Sequence, residues 1–221
     1  EVRTLATLPE GFGEPTWSPD GKWIAFTSRT RDARYEAKDE SWQSPRKVET
    51  FFTRFNGEGW VVDRPSHVYV VAADGTGAPR NLTPGKHQHE GIAWLVDSSA
   101  ILTSASRHDG WDRDLVSDIY VVPLDGEIRR LTGGTSEHFA PSVSPDGKRF
   151  AVLGVDDPLL SPQNIRVGVG SLDDGAVTWV STDLDRTFSP TTGVRAPLWR
   201  SDDTLLALAE DRGETHLYEL A

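Results

Sequence analysis

Cysteine is absent from all 221 residues, which excludes disulfides, thiolate metal sites and cysteine nucleophiles. Methionine is absent too, and the opening Glu1-Val2-Arg3-Thr4-Leu5 has neither a basic start nor an apolar core. It reads as a strand met midway, the expectation for a cut or processed segment. Basic side chains are scarce: 23 Lys and Arg stand against 34 Asp and Glu, a formal charge of -11. That field repels a phosphate backbone, so nucleic acid is not an expected partner. Long apolar runs are missing as well. The longest, Val68 to Ala73, falls far short of the roughly 20 residues a membrane helix needs, so no membrane partner is expected. Sustained helical periodicity is lacking, apart from a short turn near Ala33 to Ser41. The cysteine-free composition is compatible with the cytoplasm, the location expected here.

What the chain does have is repetition. Trp17-Ser18-Pro19-Asp20-Gly21-Lys22, Trp94-Leu95-Val96-Asp97-Ser98-Ser99, Val143-Ser144-Pro145-Asp146-Gly147-Lys148 and Trp199-Arg200-Ser201-Asp202-Asp203-Thr204 each join two short apolar strands through a polar turn. Asp-Gly suits such a hairpin because glycine takes positive φ freely. A second hairpin follows each. His67-Val68-Tyr69-Val70-Val71 runs through Asp74-Gly75 to Asn81-Leu82-Thr83, and Asp118-Ile119-Tyr120-Val121-Val122 through Asp125-Gly126 to Arg130-Leu131-Thr132. Asn164-Ile165-Arg166-Val167 runs through Asp173-Asp174-Gly175 to Trp179-Val180-Ser181, and His216-Leu217-Tyr218-Glu219 opens a fourth copy. From Trp94 to Val143 is 49 residues and from Tyr69 to Tyr120 is 51. Two hairpins per unit at about 40 to 50 residues predict an all-β chain: a β-propeller of four-stranded blades, incomplete here. Residues 1–8 are expected to be the outer strand of a preceding blade. Blades are expected over 13–83 (with an insertion at 30–65), 90–132 and 139–181, and a partial blade over 195–221.

The Trp-Ser-Pro-Asp-Gly-Lys and Val-Ser-Pro-Asp-Gly-Lys turns, in units closing on Leu-Thr, resemble the TolB-type propeller repeat. That repeat occurs in TolB proteins, in several lyases and in the prolyl oligopeptidase family of serine peptidases. Arg46 to Trp60, Asp63-Arg64-Pro65-Ser66-His67-Val68-Tyr69 and Arg107-His108-Asp109-Gly110-Trp111-Asp112 are similar to the early propeller of acylaminoacyl-peptidase-like members. The resemblance implies a propeller that gates peptide access to an α/β-hydrolase domain with a Ser-Asp-His triad. The implied partners are peptide substrates, the remaining blades and the hydrolase domain, with a homo-oligomer as a further option. A nucleophile elbow requires Gly-x-Ser-x-Gly. Gly168-Val169-Gly170-Ser171-Leu172 has the wrong spacing and sits inside a blade, so no catalytic residue is expected in these 221 residues. Two other readings compete: a non-catalytic TolB-like binding propeller and a metal-dependent propeller lyase.

The candidate metal ligands are His87, His89 and His138, the first two within His87-Gln88-His89-Glu90, two imidazoles and a carboxylate in four residues. His87 and His89 would share one side of an extended strand, and aligning Trp94 with Val143 puts His89 at the position of His138. A complete ligand set is not apparent, and hydrogen-bonded loop histidines are the preferred reading; no cofactor is expected. The run Arg107, His108, Asp109, Asp112, Arg113, Asp114 and Asp118 around Trp111 lacks the order of a calcium loop. It predicts internal salt bridges that fix a long loop. Asp20, Asp146 and Asp202 recur as turn residues rather than paired catalytic acids. Asn81-Leu82-Thr83 fits a glycosylation sequon, but strand periodicity explains it better. Trp17, Trp94 and Trp199 are expected in the core between blades. Trp42, Trp60 and Trp111, in the insertion and the loop, are freer for surface or domain contacts.

Overall fold

The computed structural model describes residues 2–13, 15–37, 39–160 and 162–221. The chain is all-β. Sheet I comprises β1 (Thr16–Trp17), β2 (Trp23–Arg29), β5 (Ser66–Ala72) and β6 (Arg80–Asn81) in that order, all antiparallel. Sheet II follows with β7 (His89–Trp94), β8 (Ala100–Ala105), β9 (Asp118–Pro123) and β10 (Arg129–Arg130). Sheet III holds β11 (Glu137–Val143), β12 (Arg149–Val155), β13 (Arg166–Ser171) and β14 (Val177–Trp179). Sheet IV has three strands, β15 (Leu198–Ser201), β16 (Thr204–Asp211) and β17 (Glu214–Leu220). Between β2 and β5 the insertion forms two single-turn 3-10 helices and a small hairpin, β3 (Arg54–Phe55) with β4 (Gly59–Trp60).

Alternation along each second strand creates the stack, because successive side chains leave a strand on opposite faces. In sheet III, Phe150 and Val152 pack toward sheet II with Leu102 and Ile119, while Ala151 and Leu153 pack toward sheet IV with Leu205 and Ala207. Ala25, Val68 and Val70 of sheet I meet Trp94 and Ile101 of sheet II. First strands of neighbouring sheets touch one another (β1 with β7, β7 with β11, β11 with β15). Each sheet therefore contacts its sequence neighbours around a shared inner side.

The Ser-Pro-Asp-Gly turns lock themselves. Ser18 Oγ donates to Asp20 Oδ1 at 2.7 Å and accepts from the Trp23 amide at 2.9 Å; Ser144 repeats both bonds at 2.6 and 2.9 Å. Gly21 and Gly147 take φ of 70° and 68°, and Ser98 takes the same conformation at 63°. Turns also clasp across sheets: the Asp20 amide donates to Ser98 Oγ and the Asp146 amide to Asp202 Oδ1. Ser144 is fully buried, and Ser144→Ala leaves the half-buried Arg149 amide without its acceptor, which should cost about 1 to 2 kcal/mol in urea unfolding. An unchanged midpoint would show the turn needs no hydroxyl.

One expectation, that Trp17 belongs to the core, needs correction. Residues 2–8 form no ladder; they lie extended, with Leu5, Ala6 and Leu8 against Ile24, Phe26, Tyr69 and Val71 on the outer face of sheet I. A strand requires a partner, and among the described residues no sheet lies on that side. For the same reason Trp17 is not core: it is 60% exposed. Trp94 and Trp199 do pack between sheets, and their indole N–H groups donate to Thr16 and Ser142 carbonyls of the preceding first strand at 3.1 and 3.5 Å.

Candidate functional site

Short Asp-Gly turns occupy one edge of the stack, and the opposite edge carries every long connection. There the insertion 30–65, the β8–β9 loop 106–117, the β12–β13 loop 156–165 and the segment 180–197 cluster. A cleft of about 890 Å³ opens among them and runs along the first strands, from Thr16 through Glu90, Gly91 and Ile92 to Glu137, Phe139 and Pro141. Phe52, Phe55 and Trp111 contribute apolar walls, and Glu90, Asp114 and Glu137 contribute carboxylates. Burial raises the pKa of the Glu137 carboxyl above the usual range.

The insertion is held by a stacked cation. Arg46 lies 5.0 Å from the ring centres of both Tyr35 and Trp60, and its guanidinium reaches buried Asp63 at 3.2 Å. The Phe51 amide donates to Asp112 at 3.0 Å, which ties the insertion to the β8–β9 loop. Within that loop His108 Nε2 meets Asp114 at 3.1 Å. The expected loop salt bridges are only partly the fixing agent. Arg107 turns to His89 instead, and Asp118 accepts from Thr132 Oγ1 at 2.6 Å and the Gly134 amide at 2.9 Å. Those bonds staple the loop's exit strand to the next connection.

The three histidines land in separate settings. His87 donates from Nδ1 to the Ser106 carbonyl at 2.9 Å and lies edge-on to Trp111. His89 is fully buried beside Tyr120, with Arg107 donating to its Nε2 at 3.0 Å. A guanidinium only donates, so the His89 proton sits on Nδ1, which has no hydrogen-bond partner. Burial first, then the charge of Arg107, pushes this imidazole down to about 3. His138, in the equivalent register, stacks on Trp179 and is lowered mainly by burial. Among the described residues no three His, Asp or Glu side chains converge on one point. Asn81 spends its side chain internally, on His67 and on the Thr83 amide.

Sequence reasoning singled out Glu90, Asp114 and Trp111 but passed over Glu137, Phe52 and Phe55. Glu137 was within reach of the repeat, since it precedes His138 as Gln88 precedes His89. Nothing in the spacing announced that the insertion's phenylalanines fold back onto the first strands.

Stacked antiparallel sheets joined in sequence order, first strands inward, define a propeller-type all-β protein, and comparisons agree. The chain is similar to the acylaminoacyl peptidase of Pyrococcus horikoshii, with a TM-score of 0.68 and 17% identity over 94% of this chain and 30% of that one. That likeness falls on the peptidase's propeller part. It is also similar to a putative TolB from Agrobacterium tumefaciens, at a TM-score of 0.56 and 20% identity, covering 98% of this chain and 79% of that one. An oligogalacturonate lyase in complex with manganese matches at a TM-score of 0.57 and 18% identity, over 95% and 48% of the two chains. At these identities the likeness establishes the fold. Among curated proteins, an uncharacterized protein of Agrobacterium fabrum is 29% identical over 165 residues, 67% of this chain and 52% of its own length. The uncharacterized peptidase YuxL of Bacillus subtilis is 26% identical over 127 residues, 55% of this chain and 19% of its own length. The chain thus spans about half of the first relative and a fifth of the second. No family model matches. No helix is long and apolar enough to cross a membrane among the described residues.

Proposed function

We propose that this chain is the propeller portion of a serine exopeptidase or oligopeptidase resembling acylaminoacyl peptidases. Three whole blades and partial ones gate peptide access to a hydrolase domain outside these residues. The likeness to the Pyrococcus peptidase over 94% of the chain carries the reading. The cleft supports it: an opening of about 890 Å³ with aromatic walls suits an extended peptide and excludes a folded domain. The chain's own share is steric and electrostatic. Phe52, Phe55 and Trp111 offer apolar contact, while Glu90, Asp114 and Glu137 favour basic over acidic side chains in passage.

The 221-residue chain alone should hydrolyse neither acylated nor free-amino peptides, because it holds no nucleophile paired with a base in a catalytic motif. Turnover of such a peptide, together with labelling by a serine-directed phosphonate, would overturn this. The wider reading is tested on the full polypeptide. It should cleave short peptides, spare folded proteins, and accept longer peptides faster when Phe52 and Phe55 are both alanine. A full polypeptide without a Ser-Asp-His domain favours the second reading, a TolB-like binding propeller, which the likeness over 79% of the Agrobacterium TolB supports.

A further inference from the structure

The three carboxylates of the cleft stand in unlike settings. Asp114 is engaged within its own loop, by His108 Nε2 at 3.1 Å and the Val116 amide at 2.9 Å. Glu90 is exposed and leaves its charge to water. Glu137 is half-buried, and no cation or hydrogen-bond donor meets its carboxylate among the described residues. Burial alone raises its pKa, whereas a cation beside it would draw the value down. Arg195 lines the same cleft and has a partner of its own.

Strand register decides where Glu137 points. It opposes Val155, and Phe139 opposes Leu153, so these four side chains share one face of sheet III. That face is turned to sheet IV, because Leu153 and Phe139 pack with Leu205 and Ala207. Ile165 packs against the same cluster and lines the cleft with Val194 and Ala196. The backbone on either side of Glu137 is pinned to Ser117. The Ser117 amide donates to the Ser136 carbonyl at 3.1 Å, and the His138 amide to the Ser117 carbonyl at 3.0 Å. Gly154 permits this close seat, since a Cβ there would fall 1.8 Å from the Glu137 carbonyl oxygen. All of these groups come from sheets III and IV, their connections and the β8–β9 loop.

A fixed carboxylate beside apolar side chains selects a particular chemistry. Acidic groups are repelled, and neutral apolar groups leave the carboxylate desolvated and unpaired. An α-ammonium brings charge but no stem to lie against Phe139 and Ile165. Lysine and arginine bring both, because their methylene stems cover apolar surface while the head keeps its charge. We propose that Glu137 is a specificity-determining residue that takes the side chain of a lysine or arginine from a peptide lying along the cleft, with Phe139 and Ile165 against its stem. This rests on the cleft being a peptide path. It narrows that reading from three carboxylates to one, and from basic charge to a long basic side chain.

Calorimetry on the 221-residue chain tests it, with N-acetylated, C-amidated alanine pentapeptides carrying lysine, arginine, norleucine or glutamate at the centre. The lysine and arginine peptides should bind at least ~10-fold more tightly than the norleucine peptide, which keeps the stem without the charge. The glutamate peptide should bind most weakly. Glu137→Gln should erase the difference between lysine and norleucine. Glu127→Gln, which removes the same charge from the exposed β9–β10 turn, should leave it intact. Carbodiimide coupling of the bound lysine peptide to the unaltered chain should attach it to Glu137, read by mass spectrometry, whether or not the Glu137 variant folds. Equal binding of the lysine and norleucine peptides overturns the proposal, as does coupling to other carboxylates instead. A preference that survives Glu137→Gln overturns it too. An unacetylated all-alanine peptide that binds as tightly as the lysine peptide overturns it in favour of an α-ammonium. Equal loss in the two glutamine variants assigns the preference to the overall charge of -11 and overturns it as well. If none of the peptides binds, the peptide path itself is refuted and this proposal with it.

Discussion

Acidification from pH 7 to pH 4 should destabilise the protein steeply, with His89 as the largest single contributor. Burial and the adjacent Arg107 hold its imidazole at about 3, against about 6.5 in an unfolded chain. The folded state therefore leaves His89 neutral while the unfolded state takes up a proton below that value. Stability is complete above about pH 6.5 and falls as pH drops toward 3, by about 4 to 5 kcal/mol over the whole window. His67, His87 and His138 are lowered as well, each chiefly by burial, and act in the same direction. Glu137, raised by burial, opposes them by binding its proton more readily in the folded state. Urea midpoints at pH 7.0, 5.5 and 4.5 measure the slope, and His89→Phe, which keeps an aromatic ring in place, should flatten it. A midpoint independent of pH would refute the account.

Replacing Gly175 with valine should be the most damaging single change in a turn, at about 4 kcal/mol. Two causes add. Gly175 sits at φ +73°, where a β-branched residue is strained, and its Cβ would fall 1.8 Å from the Leu131 carbonyl of the neighbouring sheet. That oxygen belongs to backbone fixed by the Leu131 amide bond to Ile119, so it has no soft way to retreat. The sheets themselves must part. Gly57→Ala is the control, since Gly57 has φ +81° but nothing within 4 Å of the added carbon, and should cost only about 1 kcal/mol. Equal losses in thermal melts of the two variants would show that contact between sheets II and III does not depend on this glycine.

The contrast between these glycines marks what the sequence discloses. Turn chemistry is local, so Asp20-Gly21 and Asp146-Gly147 announced their hairpins, and the recurrence of paired hairpins announced the repeated sheets. Solvent exposure is not local. Trp17 carries the same motif as Trp94, yet only Trp94 has a sheet before it to bury its indole. The cleft was legible in fragments: Glu90 and Trp111 lay in conspicuous runs, but Glu137 and the insertion's Phe52 and Phe55 meet them only through the fold. The histidines show the limit of periodicity. It correctly equated His89 with His138, but it could not foresee that Arg107 would occupy the one nitrogen lone pair His89 had to offer.

The insertion between β2 and β5 also bears on the order in which the molecule assembles. Second and third strands are separated by 36 residues in sheet I, by 12 in sheet II, by 10 in sheet III and by 2 in sheet IV. Closing the longest of these loops costs about 1 kcal/mol more entropy than closing the 12-residue one, since the penalty grows with the logarithm of length. Chain order and closure order therefore run against each other. The sheet nearest the amino terminus is the slowest to close unaided, and sheet II offers it a surface already formed by Trp94 and Ile101. Growth of the native structure from the carboxyl-terminal side toward sheet I follows from that asymmetry, with Arg46 clamped between Tyr35 and Trp60 shortening the effective loop once the insertion has ordered.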